Sequence, residues 1–475
     1  MCRPNSLEGN IMPTALDLTK GSIAGHFRVL AIPIAVGMVF TTLYNVVDTF
    51  YAGFLSTQAQ AGLAISFPIF FVLVAFGFGM NSALNALVGS AIGSKKFSKA
   101  QLIACQGISL AIISSVFIIF LGIFLLPFLL SIVSEPGEYR TAAKSYLLVL
   151  FFAQPGFLLA FTANGILGAQ GDMKSMQKAQ IFSFFANLVL NPLFIFGIPY
   201  IVSGIGFNGI AASTVVTQSG VMFYILVRAF RSHVMSGSSF YLFLPKLKFF
   251  LKITNQATPT CFTMIVMIFG SFFVQFFLKE FGPSAVAAYG IGLRIEQLIL
   301  LPGFGLTGAL LAITSQNFGA KKYDRVREAF WFSIYMAIIL MIFGSILLWS
   351  TASISVAFFS EDEEVIRLGS QYLYVEGFIL PIYVILFGLN AFLQGLQRPV
   401  WPLWIGVYRQ GIGVFFFSWL LVRVLDMGTW GVWLGILVSV ITGLIFASIV
   451  SIIVAKNKIG GLNKNYGIDI LWRNN

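Results

Sequence analysis

Charge is scarce in this sequence. Asp, Glu, Lys and Arg together make up 10% of its 475 residues, against roughly 25% in soluble domains. So few charges cannot cover a soluble surface, and the soluble globular, disordered and fibrous classes are excluded. Histidine occurs twice and cysteine three times. Cys2, Cys105 and Cys261 have neither metal-ligand nor CxxC spacing. There is no HExxH, GxSxG or DxD arrangement, so nothing supports catalysis. Acids are the scarcer sign, 17 against 29 Lys and Arg, which leaves a net charge of +12. That excess reads as topogenic, holding loops on the cytoplasmic side, not as a nucleic-acid footprint. Residues 1–25 lack the apolar h-region of a signal peptide, which predicts a cytoplasmic N-terminus.

What the sequence has is apolar length. Hydrophobic residues make up 58%, and the mean hydropathy is +0.90. Roughly 12 spans of about 21 residues need about 250 positions, which the chain can supply. Apolar segments fall at 27–50, 61–88, 103–130, 145–167, 179–200, 208–229, 257–278, 286–312, 329–355, 371–395, 402–424 and 430–454. They predict an all-α polytopic membrane protein with 12 spans. The even connections hold most of the loop Lys and Arg, whereas the odd ones hold Arg140, Lys144, Lys279, Arg367 and Arg423. Both termini are therefore expected in the cytoplasm. The run Glu361–Glu364 then faces outward and resembles a helix-capping sequence.

The two halves repeat. A shift of 226 positions carries Pro33 onto Pro259, Gly77-Phe78-Gly79 onto Gly303-Phe304-Gly305, and Gly93 onto Gly319. It also carries Tyr146-Leu147 onto Tyr372-Leu373 and Pro155 onto Pro381. Six is an even number of spans, so the halves share one orientation, and equal lobes about a cavity are a transporter layout. The expected divisions are a segment 1–26, an N-lobe 27–230, a linker 231–256, a C-lobe 257–455 and a tail 456–475. These four prolines fall inside spans, where they permit bends.

Ionisable residues within spans are functional candidates by default. Asp48 ends a polar stripe in the first span. Thr41, Tyr44 and Asn45 lie at i−7, i−4 and i−3 and share its face. An acid in low dielectric is a natural point of exchange for a proton, or for a hard cation such as Na+. Asn187 and Asn191 stand at i and i+4 of the fifth span, and Pro192 frees a carbonyl in the turn before it. Two amide oxygens and a carbonyl suit Na+, and equally suit interhelical hydrogen bonds. Asn164 and Thr214 add polar groups to the same half. Arg294, Glu296, Glu376 and Arg409 are secondary candidates, with structural ion pairing as their other reading. The aromatics serve mainly lipid contact and packing, with cation–π binding a weaker reading.

Together these residues resemble the multidrug and toxic compound extrusion (MATE) transporters over about 27–455. The resemblance rests on Tyr44-Asn45-Val46-Val47-Asp48-Thr49 with Gly53, Gln170-Gly171-Asp172, and Asn187 through Asn191-Pro192. It rests also on Gly209 through Thr214 and on Gln316-Asn317-Phe318-Gly319-Ala320. It implies two six-helix pseudo-symmetric lobes forming a V around a central cavity. It implies export of amphipathic, cationic compounds by alternating access, in exchange for H+ or Na+ and with no other cofactor. By position, Asp48 matches the first-helix acid that binds the coupling ion, with Asn164, Asn187 and Thr214 around it. Asn191 stands where many relatives carry a second Asp, and H+ and Na+ both stay open. The seventh span, Pro259 to Leu278, carries no acid, which places coupling in the N-lobe, as in the DinF-like branch. Thr41, Tyr44, Asn45 and Asn164 are the expected substrate-cavity residues. The implied setting is a monomer in a bacterial inner membrane. The alternative is a lipid-linked oligosaccharide flippase of the wider superfamily, which requires a strongly basic cavity.

Overall fold

The structure is a computed structural model that describes residues 16–198 and 202–463. Cys2 and positions 464–475 of the tail lie outside the described residues. Among the described residues twelve helices are long and apolar enough to cross a membrane, and this is a multi-pass integral membrane protein. The first six are α1 (Ile23–Leu55), α2 (Thr57–Gly93), α3 (Phe97–Val133), α4 (Glu138–Gly168), α5 (Lys174–Phe196) and α6 (Asn208–Phe230). The second six are α7 (Leu247–Leu278), α8 (Pro283–Gly319), α9 (Tyr323–Ala357), α10 (Glu363–Gly395), α11 (Val400–Val424) and α12 (Gly428–Ile459). A two-residue ribbon, β1 (Gly197–Ile198) with β2 (Val202–Ser203), joins α5 to α6.

The helices outrun the apolar segments that predict them. α7 begins at Leu247, not at 257, so the linker 231–256 shrinks to 231–246. α1 begins at Ile23, not at 27, and α12 runs to Ile459, beyond 455. Hydropathy stops where charged residues start, but backbone hydrogen bonding continues into the interface with Lys side chains reaching water. The ends are set by local caps. Ser22 accepts from the Gly25 amide at 3.1 Å, and Asp362 accepts from the amides of Glu364 and Val365. α11 departs from α geometry in two π-helical stretches, Val407–Gly413 and Leu420–Val424.

The lobes meet at the basal end, the end at which the chain enters α1 and at which α2 and α8 finish. Gly93 of α2 and Gly319 of α8 sit so close that a Cβ on either would overlap backbone of the other lobe, at Gln316 and Ser90 respectively. Higher up, Gly79 lies against Ala257 and Cys261 of α7, and Gly305 against Ala31 and Ala35 of α1. Each contact is the image of its partner under the 226-residue shift. The register that relates the halves in sequence thus also relates the two sides of the interface, as in a two-fold contact.

The basal ends of α1 and α7 are exchanged. Phe27 and Leu30 of α1 pack in the C-lobe core, with the Phe27 ring tilted against that of Phe332 at a centroid distance of 4.9 Å. Ile253 and Ala257 of α7 pack in the N-lobe core. The segment before α1 adds a strap. The Leu16 amide donates to the Gln170 carbonyl, and fully buried Leu18 exchanges bonds with Gln316 and Asn317. Arg325 donates to the carbonyls of Leu18 and Gly21.

Towards the opposite end the same helix faces become exposed. On α8, Gly305 and Gly308 pack against α1. Arg294 lies three and four helical turns above them on that stripe, with Gly290 and Gln297 beside it, and all three are exposed. On α1, Ala31 and Ala35 face α8, and exposed Asn45 and Thr49 continue their line. The lobes therefore diverge into a cleft between α1 and α2 on one side and α7 and α8 on the other.

Candidate functional site

Three helices of the N-lobe bring their polar groups together. Asp48 of α1 is 6% exposed, and its Oδ1 accepts from Asn187 Nδ2 at 3.0 Å and from Asn191 Nδ2 at 2.9 Å. Thr214 Oγ1 stands 3.5 Å from Oδ2. The two α5 asparagines point the same way because they are one turn apart, and Asn191 Nδ2 also donates to Asn187 Oδ1 at 3.2 Å. Tyr44 closes the cluster on its basal side, with Oη 3.1 Å from Thr214 Oγ1 and 2.8 Å from Thr217 Oγ1. Charge-assisted bonds of this kind hold a buried carboxylate that would otherwise be costly.

The donor set is all oxygen on the acceptor side, which fits a small hard cation. Asn191 Oδ1 is buried and has no hydrogen-bond partner. With Asp48, Asn187 Oδ1 and Thr214 Oγ1 it is the group that would hold Na+. Ser213 and Thr217 belong to the cluster without having been singled out from the sequence. Their signal was Ser213 beside Thr214 and Thr217 one turn further along the same helix.

The structure redistributes the expected cavity residues. Tyr44 is buried in the Asp48 cluster. Asn45, its chain neighbour, faces the cleft. Thr41 is half-buried and donates to the Gly37 carbonyl of its own helix at 3.0 Å. Asn164 is half-buried, its Oδ1 unpartnered, with no hydrogen bond to Asp48 among the described residues. Adjacent residues on a helix point about 100° apart, so a stripe drawn over seven residues divides between two environments.

The C-lobe holds a different cluster. Under the 226-residue shift Asp48 corresponds to buried Val274, and Glu376 to buried Leu150. Glu296 of α8 accepts from Tyr372 Oη at 2.7 Å, and Tyr372 packs edge-on against Tyr289 and beside Trp433. Glu376 is fully buried, and neither carboxylate oxygen has a hydrogen-bond partner. Arg409 lies in the first π-helical stretch of α11, its guanidinium 5.0 Å from the Tyr383 ring centroid. Structural ion pairing, the other reading of these residues, is not seen as a salt bridge of Glu296, Glu376 or Arg409 among the described residues. A Tyr372→Phe variant should lose about 1.5–3 kcal/mol of stability, because it strips the donor from a buried carboxylate. A fall in melting temperature of the detergent-purified protein checks this.

The family model MatE matches residues 33–193 and 259–419, the same stretch twice and offset by the repeat register. The chain belongs to the MatE family. This MatE protein is accordingly a transporter and not an enzyme. It is 23% identical over 402 residues to the "Probable multidrug resistance protein YoeA" of Bacillus subtilis, covering 82% of this chain and 85% of that one. It is also 23% identical to a protein named "FAD transporter" of Shewanella oneidensis, covering 80% and 84%. Among solved structures, the MatE chain superposes with a TM-score of 0.84 at 22% identity on a MOP superfamily transporter from Pyrococcus furiosus, covering 96% and 100%. An outward-facing multidrug resistance MATE family transporter gives 0.83 at 22% identity, covering 93% and 99%.

Proposed function

We propose that this protein is a secondary antiporter that exports amphipathic small molecules in exchange for H+ or Na+, with the coupling ion bound at Asp48. The observation that carries this reading is the buried Asp48 carboxylate, gathered by Asn187, Asn191 and Thr214 from two other helices. The relatives named for multidrug resistance and export support the substrate side. Loop charge supports a bacterial inner membrane with both termini in the cytoplasm, so the cleft opens outward. One chain supplies both walls of the cleft, which supports a working monomer.

The mechanism follows from α1. Its basal end is packed in the C-lobe core and its Asp48 end is bonded to α5 and α6. Asp48 faces α5 and α6 while Asn45 and Thr49 face the cleft. H+ or Na+ arriving from outside neutralises the carboxylate. That weakens its hold on the amide groups of Asn187 and Asn191. α1 then shifts against α5 and α6, bending near Pro33, and its cleft face moves with it. Substrate affinity falls and the substrate leaves. Release of the ion on the other side restores the carboxylate. Each ligand biases the two states only by its differential affinity for them.

The test uses purified protein in liposomes, with a pH gradient and a Na+ gradient imposed one at a time and a fluorescent amphipathic dye followed. Flux driven by one of them supports antiport and names the ion. Dye binding with no flux under either gradient overturns it.

A further inference from the structure

The wall of the cleft carries a charge that the coupling site does not use. Arg294 lies about 17 Å along α8 from its first residue, taking 1.5 Å per residue, well inside a span. A guanidinium at that depth is costly in lipid, yet Arg294 is exposed and has no ion-pair or hydrogen-bond partner among the described residues. Its direction resolves this. It stands eleven and fourteen residues before Gly305 and Gly308, on the stripe that packs against α1 lower down. It therefore faces the opposite lobe across the cleft. Leu298 and Pro302 are exposed on the other flank of Arg294, and Ile291 is half-buried there.

Gln297 is exposed one turn further along the same face. Across the cleft, the repeat-equivalent positions are Pro68 and Phe71. Phe71 stands eighteen residues, five turns, before Gly89, which meets Ser315 of α8. It therefore lies on the α2 face that confronts the C-lobe. Phe67 is 56% exposed a turn away, its ring centroid 6.1 Å from that of Phe71. One wall thus offers a guanidinium and an amide, and the other an aromatic pair. The acids away from the helix ends, Asp48, Glu296 and Glu376, are all buried. A plain organic cation meets no counter-charge on these walls.

We infer that Arg294 and Gln297 form a receptor for an anionic group, and that the favoured substrate is an aromatic amphiphile bearing a carboxylate or phosphate monoester. This rests on the efflux reading of the same cleft. One guanidinium suits one such group, since its planar fork matches two oxygens. A pyrophosphate-linked lipid would call for several cations, and Arg409, the other cation deep in a span, is buried.

Binding and transport test the two ideas separately. Carboxyfluorescein, an aromatic anion, and ethidium, an aromatic cation, are titrated onto the full-length detergent-purified protein and followed by fluorescence anisotropy. Carboxyfluorescein should bind more tightly than ethidium. Arg294→Gln should weaken carboxyfluorescein about tenfold or more, the scale of one charge-assisted bond, while ethidium changes less than about twofold. Arg294→Lys should recover part of the loss. The side chain is exposed, so neither change disturbs folding. Equal loss for both dyes, no loss for either, or tighter binding of ethidium overturns the inference. Gradient-driven flux of carboxyfluorescein is then measured in liposomes. Binding that depends on Arg294 without flux would overturn the efflux reading and leave the anion receptor standing.

Discussion

An Asp48→Asn variant should fold normally and lose gradient-driven export. Asparagine has the same shape and retains an acceptor oxygen for Asn187 and Asn191, so the three-helix cluster keeps its packing. What it loses is the charge. The two bonds at 3.0 and 2.9 Å become neutral ones, and no group in the cluster can then exchange a proton. Bonds to a charged group contribute roughly 1.5–3 kcal/mol each. Losing the charge should lower the affinity for H+ or Na+ at least about a hundredfold. The measurement is flux under each imposed gradient, together with dye binding and melting temperature. Melting should stay close to wild type while dye binding weakens and flux disappears, because the permanently neutral residue holds α1 in its substrate-releasing position. Equal flux in the variant and wild type would move coupling out of the N-lobe, with Glu296 and Glu376 next to be tested.

The second large effect is expected at the basal seal. Gly319→Val places side-chain atoms where the Ser90 backbone lies, and Gly93→Val does the same at Gln316. Backbone cannot rotate away as a flexible side chain can, so α2 and α8 must separate. Overpacking of this kind costs about 1–3 kcal/mol, and here the cost falls on the state in which the basal end is closed. Export should fall sharply, and the closed-end form should melt several degrees lower. Gly220→Ala is the control, because a Cβ there meets nothing within 4 Å. Unchanged flux and melting in Gly319→Val would mean that this contact does not have to close during transport.

The two predictions concern opposite ends of one lever. α1 is anchored in the C-lobe core through Phe27 and Leu30 and in the N-lobe through Asp48. A change at Asp48 can therefore reach the interface between lobes through one packed helix. α7 has the equivalent basal packing but Val274 in place of the acid, so the same lever in the other lobe lacks an ionisable end.

Much of this was legible in the sequence. Apolar length alone gives twelve helices, because a lipid-spanning chain must satisfy its backbone internally. The 226-residue register follows from Gly and Pro positions, and it reappears as the Gly93–Gln316 and Gly319–Ser90 contacts. Asp48, Asn187, Asn191 and Thr214 stand out because polar residues in spans are rare and helical spacing puts the asparagines on one face. Tertiary structure decided how each helix is rotated against its neighbours. Periodicity fixes the phase of residues within a helix, not the direction of that phase in the bundle. Tyr44 therefore enters the Asp48 cluster while Asn45 enters the cleft. Glu376 and Arg409 are both buried and unpaired with each other, and Arg294 stands exposed where an ion pair was the expected reading. Leu16–Ser22 carries no apolar period, and it is ordered by bonds to Gln316, Asn317 and Arg325, which lie some three hundred residues away.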